Sequence, residues 1–223
     1  MVKILAFDTE TTGLPPSKWL RKYELKDWPY MLELAFILYD TEESSGNNVI
    51  YKYNNIIKVA TKVSISDEAV SVHNITKSMS RRKGVSITDA IGLFRMAIYC
   101  ADVIVGHNID FDINIVNAEC MRNNIPLLLM AEQQRQLCNN LKHKYVCTMN
   151  WLKGWLDIKT ISKKDGEEYV RFPTLEEVHE KIFGERIGNE NLHNAFIDTV
   201  VCLRCYVKLT ENKDIGLKLG TAH

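Results

Sequence analysis

Apolar residues recur along this chain with two periods, and the change from one to the other divides it. Near the N-terminus Val2, Ile4, Leu5, Ala6 and Phe7 form a short run, the pattern of a central strand covered on both faces. Residues 31–39 (MLELAFILY) repeat that pattern, with Glu33 an oddly placed acid inside it. Residues 48–59 predict a third strand, in which Tyr51, Tyr53 and Ile57 favour β structure. The stretch ESSGNN at 43–48 reads as a hairpin-type connector, so the first three strands are expected to form an antiparallel meander.

From Ser66 the spacing turns helical. Ser66-Asp67-Glu68 starts a short helix that ends in VSVHNIT, residues 70–76. In residues 86–100, Ile87, Ala90, Ile91, Phe94, Ala97 and Ile98 lie at helical intervals. DVIV at 102–105 is a short buried strand, and Gly106-His107-Asn108 closes it. Ile109-Asp110-Phe111-Asp112 then opens a helix running to about Arg122. Residues 123–140 are of lower definition, and Val146-Cys147-Thr148 is a candidate last strand. Thr174 and Glu177 form a capping box for a helix that Gly184 terminates, and 191–209 is the final long helix. The expected organisation is α/β: one domain over 1–210 and a loosely tied C-terminal tail over 211–223.

Composition changes this picture little. The 223 residues carry 28 Lys and Arg against 28 Asp and Glu, so no global field draws the protein to nucleic acid, and binding must come from local patches. No stretch approaches a membrane span and no secretory leader is evident. The six cysteines are scattered, which together with the missing leader points to an intracellular protein with reduced thiols. Cys202 and Cys205 form a lone C-x-x-C within a helix pattern, read as core packing. Arg81-Arg82-Lys83 is either a solvated face or a phosphate contact. In the polar connection over 15–29, Trp19 and Trp28 either stack on bases or pack the loop onto the domain.

Candidate chemistry lies in the acids. Asp8 and Glu10 are two apart at the end of a strand, so both carboxylates point the same way. Two acids held that close repel each other, and a hard divalent cation relieves the repulsion. Taken alone they could equally be solvated acids at the start of a loop. Asp112 sits in a helix first turn, with Asp110 its rival or the helix cap. A late helix carries His193 and Asp198. If strand ends bring these segments to one edge, four carboxylates could share two Mg2+ ions roughly 4 Å apart, with Mn2+ able to substitute. A neutral His193 beside them could take a water's proton. Phosphodiester hydrolysis is the chemistry that calls for this set.

The stretches FDTETTGL, HNIDFD and HNAFID resemble the three motifs of the DEDD exonucleases, and the H-x-A-x-x-D spacing of His193 to Asp198 resembles the DEDDh, DnaQ-like branch. The resemblance runs from Val2 to about Tyr206 and includes LELAF, VHNIT and LEEVHEKIFGE. It implies an RNase H-like fold, with a mixed five-stranded sheet flanked by helices. It also implies 3′–5′ removal of nucleoside 5′-monophosphates. Asp8, Glu10, Asp112 and Asp198 match the metal-binding acids, and His193 matches the general base. Thr11, Thr12, Gly13 and Leu14 match the loop that holds the terminal nucleotide. His107 and Asn108 look like the segment lining the site, and His73 of VHNIT joins the substrate-binding set. Taken singly, His73 and His107 could as well be packed histidines. Asn74 stands where the family often has Gly, and Asn tolerates a left-handed backbone.

Single-stranded DNA 3′ ends are the expected substrate. An RNA-trimming enzyme and a catalytically silent module that docks nucleic acid are the alternatives. Proofreading would need a polymerase partner chain, whereas repair and degradation would not. The motifs leave the oligomeric state open.

Overall fold

The computed structural model describes residues 2–15, 24–42, 48–137, 142–187 and 194–216. Its centre is a five-stranded mixed sheet in the order β3-β2-β1-β4-β5. The strands are β1 (Lys3–Thr11), β2 (Met31–Asp40), β3 (Val49–Ile56), β4 (Val103–Gly106) and β5 (Lys144–Cys147). The first three pair antiparallel, as the meander pattern predicts, and β4 and β5 join them in parallel. The expected α/β, RNase H-like layout is therefore what the chain adopts.

Strand alternation sorts the core into two layers. Leu5 and Phe7 of β1, with Leu34, Phe36 and Leu38 of β2, face α3 (Ile87–Cys100) and α4 (Ile109–Arg122). Ile4 and Ala6, with Ala35, Ile37 and Tyr39, face α7 (Leu175–Phe183) and α8 (Ala195–Glu211). Asp8 and Glu10 continue the Ile4–Ala6 series, so the period of two aims them at α8. Thr9 between them points the other way, toward α4.

The remaining α-helices are α1 (Asp67–His73), α2 (Lys77–Lys83), α5 (Glu132–Leu137) and α6 (Thr148–Leu156). Asn74 caps α1 with φ 60°, the left-handed conformation that its side chain allows. Arg81, Arg82 and Lys83 are exposed in the last turn of α2, where cations complement the helix dipole. Trp28 packs against the core layer under α3 and α4, and Arg122 donates to the carbonyls of Leu25, Trp28 and Pro29. The second half of the 15–29 connection is thereby packed down; Trp19 lies outside the described residues, as does most of the 43–48 connector.

Three sequence expectations shift. The last strand ends at Cys147, and Thr148 opens α6 instead of closing the strand. A small hairpin of β6 (Lys159–Ile161) and β7 (Glu168–Val170) appears where no strand was expected, since three-residue strands carry too few positions to show a period. The tail is tied down over 212–216: Asp214 holds Arg204 through two oxygens, at 2.7 and 2.8 Å, and Lys213 reaches Asn48. Cys202 and Cys205 are buried free thiols in α8, as core packing requires, while Cys100 is exposed. Cys138 lies outside the described residues. No described helix is long and apolar enough to cross a membrane.

Candidate active site

The site forms where β4 falls short of β1. Parallel pairing between them stops at Ala6 and Val105, and the chain leaves through Gly106. A Cβ at position 106 would come within 3.0 Å of the Ile109 side chain and 3.3 Å of the Phe7 carbonyl, so the close turn suits glycine and a larger residue would push its neighbours apart by a few tenths of an ångström. Asn108 follows at φ 62°, and α4 begins. The last residues of β1 consequently lose their strand partner on this side. Asp112, one turn into α4, takes that place: its Oδ1 accepts from the Thr9 backbone N–H at 3.0 Å and from Thr9 Oγ1 at 2.7 Å. These bonds oppose the upward push of burial on Asp112, which still ends at about 7.

On the opposite face, α8 brings Asp198 to the two acids of β1. Ligand atoms of Asp8, Glu10 and Asp198 all lie within 4.8 Å of one another. Burial holds Asp8 well above the usual carboxylate range, with Asp112, Asp198, Glu10 and Glu33 adding repulsion in that order. Glu10 rises to about 9 for the same reason, with Asp198 the largest charged contributor. Such a set of hard oxygen donors fits a divalent-cation centre.

Two cavities flank the acids. One, of about 430 Å3, includes Asp8, Asp198, His107, Asn108, Met149 and Thr174. The other, of about 420 Å3, includes Glu10, Thr11, Gly13, Leu14, Val72 and His73. Leu14 is 78% exposed, an apolar side chain held out over the second cavity's rim. Thr11 and Thr12 are buried: Thr11 Oγ1 donates to the Gly13 carbonyl, and Thr12 Oγ1 accepts from the Tyr30 N–H. They shape the loop from beneath instead of facing a ligand with their hydroxyls.

Both histidines line a cavity and bond the neighbouring chain. Nδ1 of His73 accepts from the Ile75 N–H at 2.9 Å, so its Nε2 carries the proton and donates to the Thr11 carbonyl at 3.1 Å. His73 thereby ties the loop to α1 while lining the cavity. His107 meets Thr148 Oγ1 through Nδ1 at 3.0 Å and the Pro173 carbonyl through Nε2 at 3.1 Å. Burial lowers it to about 4, so it is a neutral wall of the first cavity with both nitrogens occupied. Asp110, the rival of Asp112, neither caps α4 nor joins the cluster; it pairs with Arg135 at 2.5 Å. The last helix begins at Ala195 after its Asn194 cap and not at 191, so it carries Asp198 but not His193, which lies outside the described residues. Sequence reasoning missed Thr9, the partner of Asp112, and Met149 in the cavity wall. The position of Thr9 between two acids, on the opposite face, was the available signal for it; Met149 carried none.

Fold and site together define an RNase H-like α/β nuclease domain with a carboxylate centre at the end of its middle strand. Residues 5–206 match the RNase T exonuclease family, and the chain belongs to that family, of the DEDDh type. A search of curated proteins by sequence finds no significant match. Among solved structures, the chain is similar to E. coli exonuclease I. The form in complex with a 5cy-dT13 oligonucleotide superposes with a TM-score of 0.64 at 19% identity, over 95% of this chain and 42% of that one. Exonuclease I in its apo form gives a TM-score of 0.63 at 19% identity, over 94% and 42%. The zinc-bound complex with single-stranded DNA gives 0.65 at 19%, over 95% and 42%. The chain thus spans about two fifths of the exonuclease I chain, and the likeness is one of fold.

Proposed function

We propose that this protein is a divalent-metal-dependent 3′–5′ exonuclease that releases nucleoside 5′-monophosphates from nucleic acid ends, single-stranded DNA being favoured. The convergence of Asp8, Glu10 and Asp198 within 4.8 Å at the end of a buried strand carries this reading. Asp8, Glu10, Asp112 and Asp198 would hold two Mg2+ ions, for which Mn2+ can substitute. When bound, such ions lower the pKa of a water and offset the charge on a departing oxygen. Leu14 offers apolar surface to the terminal base, and the turn at Thr11–Gly13 places backbone beside the 3′ hydroxyl. His107 and Asn108 line the side from which the preceding nucleotide leaves. His193, adjacent in sequence to the Asn194 cap of α8, accepts the proton of the attacking water. A new bond forms from the water oxygen to phosphorus, and the bond from phosphorus to the 3′ oxygen breaks. The products are one nucleoside 5′-monophosphate and a shortened strand with a fresh 3′ hydroxyl.

The test is parallel digestion of 3′-labelled single-stranded DNA, duplex DNA and RNA with Mg2+ or Mn2+, identifying the released nucleotide. The expected product is the 5′-monophosphate, formed fastest from single-stranded DNA and not at all by Asp8→Ala or Asp198→Ala. Undiminished cleavage by the Asp8 variant overturns the assignment. Faster release from RNA would make the enzyme an RNA trimmer of the same mechanism.

A further inference from the structure

Glu33 is a buried acid that core packing does not explain. It is 4% exposed inside β2, whose other residues are almost all apolar, and it stands directly opposite Glu10 in the β1–β2 register. Among the described residues no Lys or Arg forms an ion pair with it. A buried carboxyl without a cation is costly, and persists where it makes a needed hydrogen bond.

One of its hydrogen bonds goes to the start of α8, and another is with the Asn54 side chain of β3. Glu33 Oε2 accepts from the Ala195 N–H, the first of the helix, at 3.3 Å. Asn194 Oδ1 takes the next two, from Phe196 at 3.1 Å and Ile197 at 3.3 Å. These three N–H groups have no partner within the helix, so a sheet residue and the cap residue share the task. Two residues further along β2, the Ala35 carbonyl lies 3.4 Å from Thr199 Oγ1, whose hydroxyl donates at 2.7 Å to the Ala195 carbonyl of its own helix. The first turn of α8 is therefore tied to β2 through Glu33, with Thr199 packed against the Ala35 carbonyl one turn on, and Asp198 lies between these two points. Helix residues rise about 1.5 Å each, so even a one-residue slip of α8 is large against a cluster whose ligand atoms lie within 4.8 Å.

We propose that Glu33 is a positioning residue, whose carboxyl pins the N-terminus of α8 to β2 and so sets Asp198 at cation-sharing distance from Asp8 and Glu10. This rests on the reading of the acids as a cation site. The role needs an acceptor, not a charge. Glu33→Gln keeps an acceptor oxygen, whereas Glu33→Met, of similar length, has none.

The full chain of each variant is examined for fold by circular dichroism and for Mn2+ binding by electron paramagnetic resonance without nucleic acid. Oligonucleotide digestion then separates kcat from KM. Loss of a residue that orients ligands costs about 10- to 100-fold, so Glu33→Met is expected to bind Mn2+ about tenfold more weakly, with a comparable fall in kcat and little change in KM. Glu33→Gln is expected to stay close to wild type in both. A folded Glu33→Met with wild-type Mn2+ affinity overturns the proposal, and so does a Gln variant as impaired as the Met one. If Glu33→Met does not fold, Ala195→Pro removes the donor instead. Proline is accommodated at a first helical position, and Asn194 before it already has the extended φ −127°, ψ 122° that proline requires. Wild-type Mn2+ affinity in that variant is equally fatal. A wild-type protein that binds Mn2+ but cleaves nothing would refute the exonuclease reading and leave the role of Glu33 to be decided by the binding data.

Discussion

Replacing Glu10 by Gln is expected to stabilise the metal-free protein while ending its catalysis. Glu10 faces Asp8 and Asp198 across less than 4.8 Å, and burial together with those charges lifts it from 4.5 to about 9. The folded protein therefore keeps a proton that the unfolded chain has already released. Its stability is fully present below pH 4.5 and is lost as pH rises toward 9. At about 1.4 kcal/mol per pH unit, the loss from Glu10 reaches up to about 3 kcal/mol at pH 7. Glutamine has the same shape and nothing to ionise, so the variant escapes that loss. For a domain of this size the gain corresponds to roughly 6–12 °C in Tm at neutral pH, and to none near pH 4. The assay is a set of thermal melts in chelator from pH 4 to pH 8.5, repeated in excess Mn2+. With the cation bound, the ionised wild-type carboxylate becomes an asset, and the order of the two proteins is expected to narrow or reverse. A Glu10→Gln variant that melts below wild type at pH 8 in chelator, or by a margin independent of pH, refutes the electrostatic account of the site.

Two further outcomes follow from particular contacts. Thr9→Val removes the hydroxyl that donates to Asp112 at 2.7 Å but keeps the backbone donor. It is expected to cost about 1–2 kcal/mol in denaturant melts and about tenfold in kcat, with KM unchanged. Arg122→Ala strands Glu119, which it meets at 2.7 Å, and frees the carbonyls of Leu25 and Pro29. A loss of roughly 3–5 kcal/mol is expected, read from urea unfolding, and an unchanged midpoint would show that the guanidinium does not hold the 24–30 segment in place.

Much of the site can be read along the chain because its acids obey strand and helix periods. The alternation through Ile4, Ala6, Asp8 and Glu10 already commits both carboxylates to one face, and the helical spacing over 191–209 puts Asp198 on the last helix. Asp110 is different. Its nearness to Asp112 left two candidates, and only Arg135, 25 residues away in sequence, draws Asp110 outward. His73 and His107 were open between packing and binding for the same reason: their partners are the Ile75 N–H and the Thr11 carbonyl for one, Thr148 and Pro173 for the other.

By itself the amino-acid order determined the meander, the two-layered core, the motif acids and the type of domain, since each depends on local period and residue chemistry. Tertiary structure decided how those acids are held. The early end of β4 opens the edge that Asp112 fills through Thr9, and the join between β2 and α8 brings Glu33 to the first N–H of the helix that carries Asp198. A hydrogen bond between residues more than 100 positions apart leaves no trace in either local pattern, because its geometry exists only once sheet and helices have packed.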